Sequence, residues 1–354
     1  MAQIVLIINT GNTSTKVGLY VDGRQNNVHT IRHSDADLAQ FSAINDQKGF
    51  RESLVLDYLK AQGLSPNQLA AVAARGGILR PLASGTYLVN EAMIRDLIEA
   101  KRGAHASHLS AQIGYSIAQK GEVNCYIVDP ITVDEFDPVA RISGHRLFTR
   151  VMRTHALNMK AVAHRFAVEN QRRYETLNLV VVHLGTGVSM SVHHGGRMVD
   201  AVDPSQEGAF SLDRAGGLPI LQVARYITEN KISFADFSSM VFGKGGVFSY
   251  LGTRDFQLVA KHYKEGDADA VEIVNALAYQ IAKEVGALST VVCGNLDAIL
   301  LTGGMAHQEF FTDLITQRIS FIAPVHRYPG EDELQALSEG VFRILNGEEE
   351  ARQY

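Results

Sequence analysis

Two short segments, half a chain apart, are built from residue types that grip anions. The first, Asn9-Thr10-Gly11-Asn12-Thr13-Ser14-Thr15-Lys16, follows the apolar run 4–8 and precedes a second apolar stretch, 17–21, that ends at Asp22-Gly23. The second, His183-Leu184-Gly185-Thr186-Gly187-Val188-Ser189, follows the run 179–182 and precedes 190–192, ending near Gly195-Gly196-Arg197. Glycine lets backbone approach a ligand, and the freed N–H groups form an anion-binding concavity to which Ser and Thr hydroxyls add donors. Either turn alone also reads as an ordinary β-hairpin. Two facing turns could grip the phosphates of one nucleotide from both sides. A third glycine turn, Thr302-Gly303-Gly304-Met305-Ala306, joins the run 298–301 to a helical stretch, 307–319. Strand, Gly-Gly, helix is a place where a nucleotide can lie against backbone, although Gly-Gly by itself is weak evidence.

The elements that must position these turns read as a repeated strand–turn–strand, and internal duplication explains the repeat better than two accidents. Helices are expected at about 91–102, 109–119, 156–173, 218–230, 267–290 and 331–346, and strands near 70–75, 86–89, 125–129 and 295–301. Asn90 is the expected N-cap and Gly103 the C-terminal stop of the first helix. Mixed order of this kind argues an α/β fold. With 354 residues, two domains are expected, and the absence of a low-complexity linker implies that they pack closely around a cleft.

The composition is that of a soluble globular protein: 46% apolar, 20% charged, 8 Pro and a net charge of −5, so neither nucleic acid nor a membrane surface is an expected partner. The opening MAQIVLIINTG is unlike a signal peptide, and no run reaches the length of a transmembrane helix, so a cytoplasmic location is the expectation. Cys125 and Cys293 read as small core residues, with no spacing that suggests zinc or a disulfide. His193-His194 reads as a solvated hairpin tip rather than a metal site, since adjacent strand residues point to opposite faces.

Taken in order, these segments resemble those of the acetate and butyrate kinase family, within the actin-like, Hsp70-like and sugar-kinase ATPase superfamily. Besides the three turns, the resemblance rests on Ala74-Arg75-Gly76-Gly77…Leu79-Arg80-Pro81, Ile127-Val128-Asp129-Pro130…Asp134-Glu135, Val139-Ala140-Arg141-Ile142-Ser143-Gly144, His155-Ala156-Leu157-Asn158 and Tyr328-Pro329-Gly330-Glu331-Asp332-Glu333. It covers nearly the whole chain, and the long arginine segment looks more like a butyrate than an acetate kinase. The resemblance implies two duplicated ribonuclease-H-like (actin-like ATPase) domains flanking an active-site cleft. The first would span 1–148, completed by the C-terminal helix region 331–354, and the second, nucleotide-binding domain 149–330. It also implies ATP/ADP, Mg2+, a short-chain carboxylic acid as substrate and a homodimer or larger homo-oligomer. The reaction would be ATP + butanoate giving ADP and butanoyl phosphate.

Residue by residue, the resemblance implies that Arg75 holds the substrate carboxylate or the travelling phosphoryl group, with Arg214 on the opposite side. Their ordinary alternatives are an exposed surface arginine and a salt bridge to Asp213. His155, behind a plausible N-cap at Thr154, would donate to a phosphoryl oxygen, with Asn158 on the same face. Asp129 would orient Arg75 or the metal's water shell, or else simply initiate a turn. Asn9 would lie near the metal or terminal phosphate, and Glu331 and Glu333 near the metal or as charges in a helix's first turn. Gly11, Thr13, Ser14 and Lys16 fall in the first phosphate turn, His183, Gly185, Thr186 and Gly187 in the second, and Gly303 and Gly304 on the adenosine side. Lys16 could equally be a structural cation.

The chain departs from the family pattern at Asn12, where relatives usually carry Ser, at Ser205-Gln206-Glu207-Gly208, where an acid is missing, and in His105-Ala106-Ser107-His108, where relatives commonly have an Asn. Competing expectations are an acetate, propionate or branched-chain acid kinase, an actin-like switch ATPase that would need neither Arg75 nor Arg214, and a sugar kinase that would need Asp129 as base.

Overall fold

The computed structural model describes residues 2–354 and forms two compact units. Unit 1 comprises the chain up to Val133 together with Ala156–Ala161 and Asp332–Tyr354; unit 2 comprises Asp134–His155 and Val162–Glu331. The division falls at 133 rather than 148 because the polar groups of the intervening segment are satisfied within unit 2. The Asp137 amide donates to Val199 O at 2.9 Å, and Arg150 reaches Asp200, Ala201 and Glu207 at 2.7–3.0 Å.

Unit 1 is a seven-stranded mixed sheet. Its strands are β1 (Ile4–Thr10), β2 (Ser14–Val21), β3 (Arg24–Arg32), β4 (Ala71–Ala74), β5 (Thr86–Leu88), β6 (Asn124–Val128) and, near the end of the chain, β12 (Arg352–Gln353), in the order β12-β5-β6-β4-β1-β2-β3. Nearly every residue of β1 and β4 is buried because both faces are covered, which explains the continuous apolar runs. Leu6, Ile8, Val72 and Ala74 join the cluster containing the helix His108–Gly121, while Val5, Ile7, Ala71 and Ala73 join the one containing the helix Glu333–Leu345. A glycine on each helix permits the close approach. A Cβ on Gly114 would lie 3.2 Å from that of Ala74, and one on Gly340 would lie 2.5 Å from a Val128 methyl.

Unit 2 carries a five-stranded sheet of β7 (Asn178–Leu184), β8 (Val188–His194), β9 (Arg197–Val202), β10 (Ala298–Gly303) and β11 (Val325–Pro329), in the order β11-β10-β7-β8-β9. The helices Ala268–Ser289 and Glu309–Ile319 share a core with alternate residues of this sheet, among them Val180, Val182, Ile299 and Leu301. The succession β11-β10-β7-β8-β9 repeats β6-β4-β1-β2-β3, with the same antiparallel meander and the same parallel neighbours. Even the irregularity recurs: pairing to the third strand shifts register at Leu19/Tyr20 and again at Val192/His193. Both meanders turn on two residues with positive φ, Asp22-Gly23 and Gly195-Gly196, as tight hairpins require.

Several local expectations are corrected. The helix Glu91–Glu99 is capped by Asn90, which accepts from the Met93 amide, but it stops at left-handed Ala100 rather than at Gly103. Cys125 is buried whereas Cys293 is exposed, in a left-handed turn after a helix. His193 is fully buried between the Tyr174 hydroxyl and Ser191 Oγ, each 2.7 Å away; only His194 belongs to the exposed tip.

Candidate functional site

In unit 1, the strand ends bring the expected residues together. Asn9 and Lys16 face each other across the β1–β2 hairpin. Thr10 ties the end of β1 to the start of the helix His108–Gly121, its amide donating to Ser110 Oγ at 2.8 Å and its hydroxyl to Ala106 O at 2.6 Å. Arg75 follows the last residue of β4, and its amide donates to Ile8 O at 3.0 Å, so the sheet itself fixes its position. Its Nη1 donates to Glu333 Oε1, and Asn9 Nδ2 donates to the other oxygen of that carboxylate. Glu333 opens the last helix, where the Asp332 side chain caps the Gln335 amide at 3.0 Å and a first-turn acid is favourable.

The glycines after Arg75 have steric causes. A Cβ on Gly76 would sit 2.7 Å from Pro130 Cβ, and one on Gly77 2.4 Å from the His108 ring. That ring supports the loop: His108 Nε2 accepts from the Ile78 amide at 3.0 Å while Nδ1–H donates to Leu97 O at 3.1 Å. Burial lowers the His108 pKa, consistent with this neutral tautomer. A cavity of about 350 Å³ results, with Asn9, Gly11, Ser14, Lys16 and Arg75 on its polar side, Ile78 and Ile131 as apolar wall, and His105, Ser107 and Glu333 completing it.

Asp129 takes a different place from the one expected. It is 4% exposed, has φ +38°, and accepts from Ser84 Oγ at 2.8 Å and the Gly85 amide at 2.7 Å. Burial pushes its pKa up, opposed chiefly by the charge of Lys160, itself buried. The carboxylate on Arg75 is that of Glu333, not Asp129. Asp129 therefore anchors the turn before β5, and nothing in the sequence singled out Lys160.

Unit 2 gathers a second set. His155, not Thr154, is the N-cap residue of the helix Ala156–Glu169; Thr154 is buried and its hydroxyl makes no hydrogen bond. His155 Nδ1 lies 2.8 Å from Ser189 Oγ on β8, and its ring stacks on that of His183 with centroids 3.9 Å apart. His183 Nε2 lies 3.1 Å from Glu331 Oε1. Glu331 thus belongs to unit 2 and Glu333 to unit 1. The space beside Gly185 and Gly187 is already taken by other side chains. A Cβ on Gly185 would meet His183 Nε2 at 2.6 Å, and one on Gly187 would meet Arg214 Nη1 at 2.2 Å.

Arg214 lies over the Phe242 ring at 4.5 Å and is 3.7 Å from Asp213, near the limit of an ion pair. Arg214 Nε and Asp213 Oδ1 are buried without hydrogen bonds. Burial lowers the Arg214 pKa, opposed by Asp213 and Asp203. The arginine is therefore constrained yet keeps unused donors. Thr186 is exposed at the tip of the second turn, its carbonyl taken by the Leu212 amide at 3.1 Å. Gly303 has φ +93° and would clash with Leu184 O at 2.5 Å if it bore a Cβ, so packing alone requires glycine there; Gly304 has open space around it.

Within each unit these features suit an anion: in unit 1 the exposed Lys16 beside an open turn, in unit 2 Arg214 with its Nε engaged in no hydrogen bond. They offer no cage for a metal, since among the described residues no three His, Cys, Asp or Glu side chains cluster as ligands. Among the same residues no helix is long and apolar enough to cross a membrane.

The acetokinase family profile matches residues 144–322. The chain is 47% identical to butyrate kinase 1 and 42% identical to butyrate kinase 2 of Clostridium acetobutylicum, each over 99% of both chains. Among solved structures it resembles the Porphyromonas gingivalis acetate kinase, with a TM-score of 0.79, 17% identity and coverage of 97% of this chain and 100% of that one. A propionate kinase from Francisella tularensis gives a TM-score of 0.74 at 14% identity, covering 96% and 98%. Those two likenesses establish the actin-like α/β fold that the repeated meander displays, and with half of the chain matched by the profile and nearly all of it aligned to the clostridial kinases, the chain belongs to the acetokinase family.

Proposed function

We propose that this protein is a butyrate kinase, catalysing ATP + butanoate giving ADP and butanoyl phosphate. The observation that carries the reading is the unit 1 cavity, in which the Arg75 guanidinium stands beside Ile78 and Ile131. A cation next to a short apolar wall suits a carboxylate with a short alkyl tail. Similarity to two butyrate kinases along the whole chain supports the same substrate.

A carboxylate is ionised at neutral pH, so the acid needs no general base. One of its oxygens attacks the terminal phosphorus of ATP in line; the new P–O bond forms as the bond to the ADP oxygen breaks, and no proton moves. The work left to the protein is positioning and charge stabilisation. Arg75 has five donors, of which Glu333 engages one nitrogen, so others remain for the substrate carboxylate. His155, held by Ser189, and Arg214, beside Gly187, serve the transferring phosphoryl group. The turns at Gly11–Ser14 and at Gly185–Gly187 take the phosphates, and Gly303 and Gly304 the adenosine side.

Mg2+ binds mainly through nucleotide phosphates and water, with one or two protein oxygens. Asn9, Glu333 and Glu331 are the residues assigned to it, and when bound it supplies charge neutralisation of the phosphates. A cytoplasmic location and a homo-oligomeric state accompany this proposal.

Hydroxylamine traps acyl phosphates. With MgATP and acetate, propionate, butyrate, isobutyrate, valerate or glucose, trapping peaks at four carbons and falls at least about 100-fold in Arg75→Ala and Arg214→Ala. No trapping with any acid, but phosphorylation of glucose or bare ATP loss, would refute the reading.

A further inference from the structure

Beneath the first turn lies a charged side chain that the reaction outlined above does not use. Arg51, in the helix Lys48–Ala61, is fully buried. Its Nη1 donates to Gly11 O at 2.8 Å, Ser14 O at 3.1 Å and Thr15 Oγ1 at 3.3 Å, and its Nη2 donates to Asn12 O at 2.9 Å. Nε and Nη2 both donate to Gln47 Oε1, at 3.0 and 2.7 Å. Thr15 Oγ1 is held in turn by His33 Nε2 at 2.9 Å.

A buried guanidinium ordinarily faces a carboxylate, because an unpaired charge in a low-dielectric interior is costly. Here every acceptor is a neutral oxygen, and no carboxylate charge offsets the burial. The arginine also sorts the polar groups of the turn. It gathers the carbonyls of Gly11, Asn12 and Ser14, while the Asn12 and Thr13 amides donate to no acceptor among the described residues, and both residues are exposed. A turn whose carbonyls are drawn to one side and whose amides are left open is an oriented set of anion donors, and the charge behind it adds to the same potential.

We propose that Arg51 is a positioning residue for phosphate: it fixes the turn at Gly11–Ser14 with its amides available to phosphoryl oxygens, and its charge finds its counter-ion in the bound nucleotide. The proposal rests on the kinase reading for its role in turnover, though not for its role in phosphate binding.

The test compares Kd for ATP, inorganic pyrophosphate and adenosine by calorimetry, with kcat and KM, in wild type, Arg51→Lys and Gln47→Leu. Lysine keeps the charge and loses the fork that gathers three carbonyls. Expected for Arg51→Lys is a rise of about tenfold in Kd for ATP and pyrophosphate, adenosine Kd within about twofold, kcat down about tenfold and KM for butyrate nearly unchanged. Gln47→Leu, which only loosens the guanidinium, raises Kd for ATP about threefold with adenosine again unchanged.

Equal losses for ATP and adenosine would make the residue merely structural and overturn the proposal, as would no loss in either variant. If Arg51→Lys does not fold, Gln47→Leu decides by the same ratio. Wild type that makes no acyl phosphate from any acid would remove the kinase reading, while the ratio of ATP to adenosine binding would still judge Arg51.

Discussion

The turn between β1 and β2 and the turn between β7 and β8 occupy the same place in two copies of one topology, yet they are built to opposite plans. The first is open above and supported from below. Its Gly11 has room for a side chain, the nearest atoms to an added Cβ being 3.7 Å away, and its shape is held by Arg51 from behind. The second has the side chains of His183 and Arg214 packed directly against its glycines. There the missing Cβ atoms of Gly185 and Gly187 are filled by His183 and Arg214. A duplicated scaffold thus keeps its strand order while the turn's rigidity comes from different sources: a buried cation in one copy, close packing of His183 and Arg214 in the other.

The sharpest way to break this comparison is the same substitution in both turns. Gly187→Ala places a methyl 2.2 Å from Arg214 Nη1 and 2.5 Å from Cζ. The guanidinium must swing away, which a long side chain can do without unfolding the unit. We expect kcat to fall about 100-fold with Tm within about 2 °C of wild type. Gly11→Ala meets only ordinary contacts and has no positive φ to strain, so kcat should stay within about threefold. Comparable losses in both variants, measured by hydroxylamine trapping and calorimetry, would show that the turns are equivalent after all.

Much of this was legible in the chain. Both turns announce themselves as small-residue segments between apolar runs, and the helix Glu91–Glu99 carries a clear cap in Asn90. The helix Lys48–Ala61 escaped for a physical reason that concerns function. Its buried face is Arg51, Glu52, Val55, Tyr58 and Leu59, so two charges stand where the periodic pattern demands apolar residues. The charge that hid the helix is the one that organises the turn. The exposed apolar residues of Ile220–Asn230 and Phe234–Val241 blur the pattern in the opposite sense, since they show helical periodicity without covering a core. Within the site, no local signal joins Arg75 to Glu333 across 258 positions. The resemblance returned the last helix to the first domain, but nothing local fixes which of its residues meets the end of β4, and Asp129, which follows a neighbouring strand, was the natural, and mistaken, partner.

A second contrast lies in the two carboxylates near the end of the chain. Glu333 accepts from two donors of different residues, Arg75 and Asn9. In Glu333→Gln one amide oxygen can serve only one of them, and the NH2 group confronts the other. Arg75 is loosened, and kcat should fall about tenfold. Glu331 Oε1 lies 3.1 Å from His183 Nε2 with no hydrogen bond between them, so a glutamine there breaks no hydrogen bond to the imidazole. Glu331→Gln should therefore cost less than about threefold in kcat. The reverse ranking would assign the dominant carboxylate to unit 2.

The smallest expected effect concerns the histidines behind the unit 1 site, His33 beside Thr15 and Arg51 and His108 beneath Ile78. Burial lowers the pKa of each, for His33 with the added repulsion of Arg51 and for His108 despite its hydrogen bond to Leu97 O. A histidine with a depressed folded pKa binds fewer protons in the native than in the unfolded chain. Its contribution to stability is fully present above the unfolded value of about 6.5, and it is lost as pH falls below that and through the folded pKa. Tm should consequently drop by about 2–4 °C between pH 7.5 and 5.5, a range in which most carboxylates stay ionised. His108→Gln isolates the effect. Its side-chain oxygen can accept from the Ile78 amide and its NH2 can donate to Leu97 O, the two bonds His108 now makes, without titrating. The variant should flatten the pH dependence by about a third, leaving the shares of His33 and of His105, whose pKa burial and the charge of Arg75 also lower. An unchanged slope would mean that protonated His108 keeps its place, and that the loop bearing Arg75 is held by the packing of Gly76 and Gly77 rather than by the imidazole.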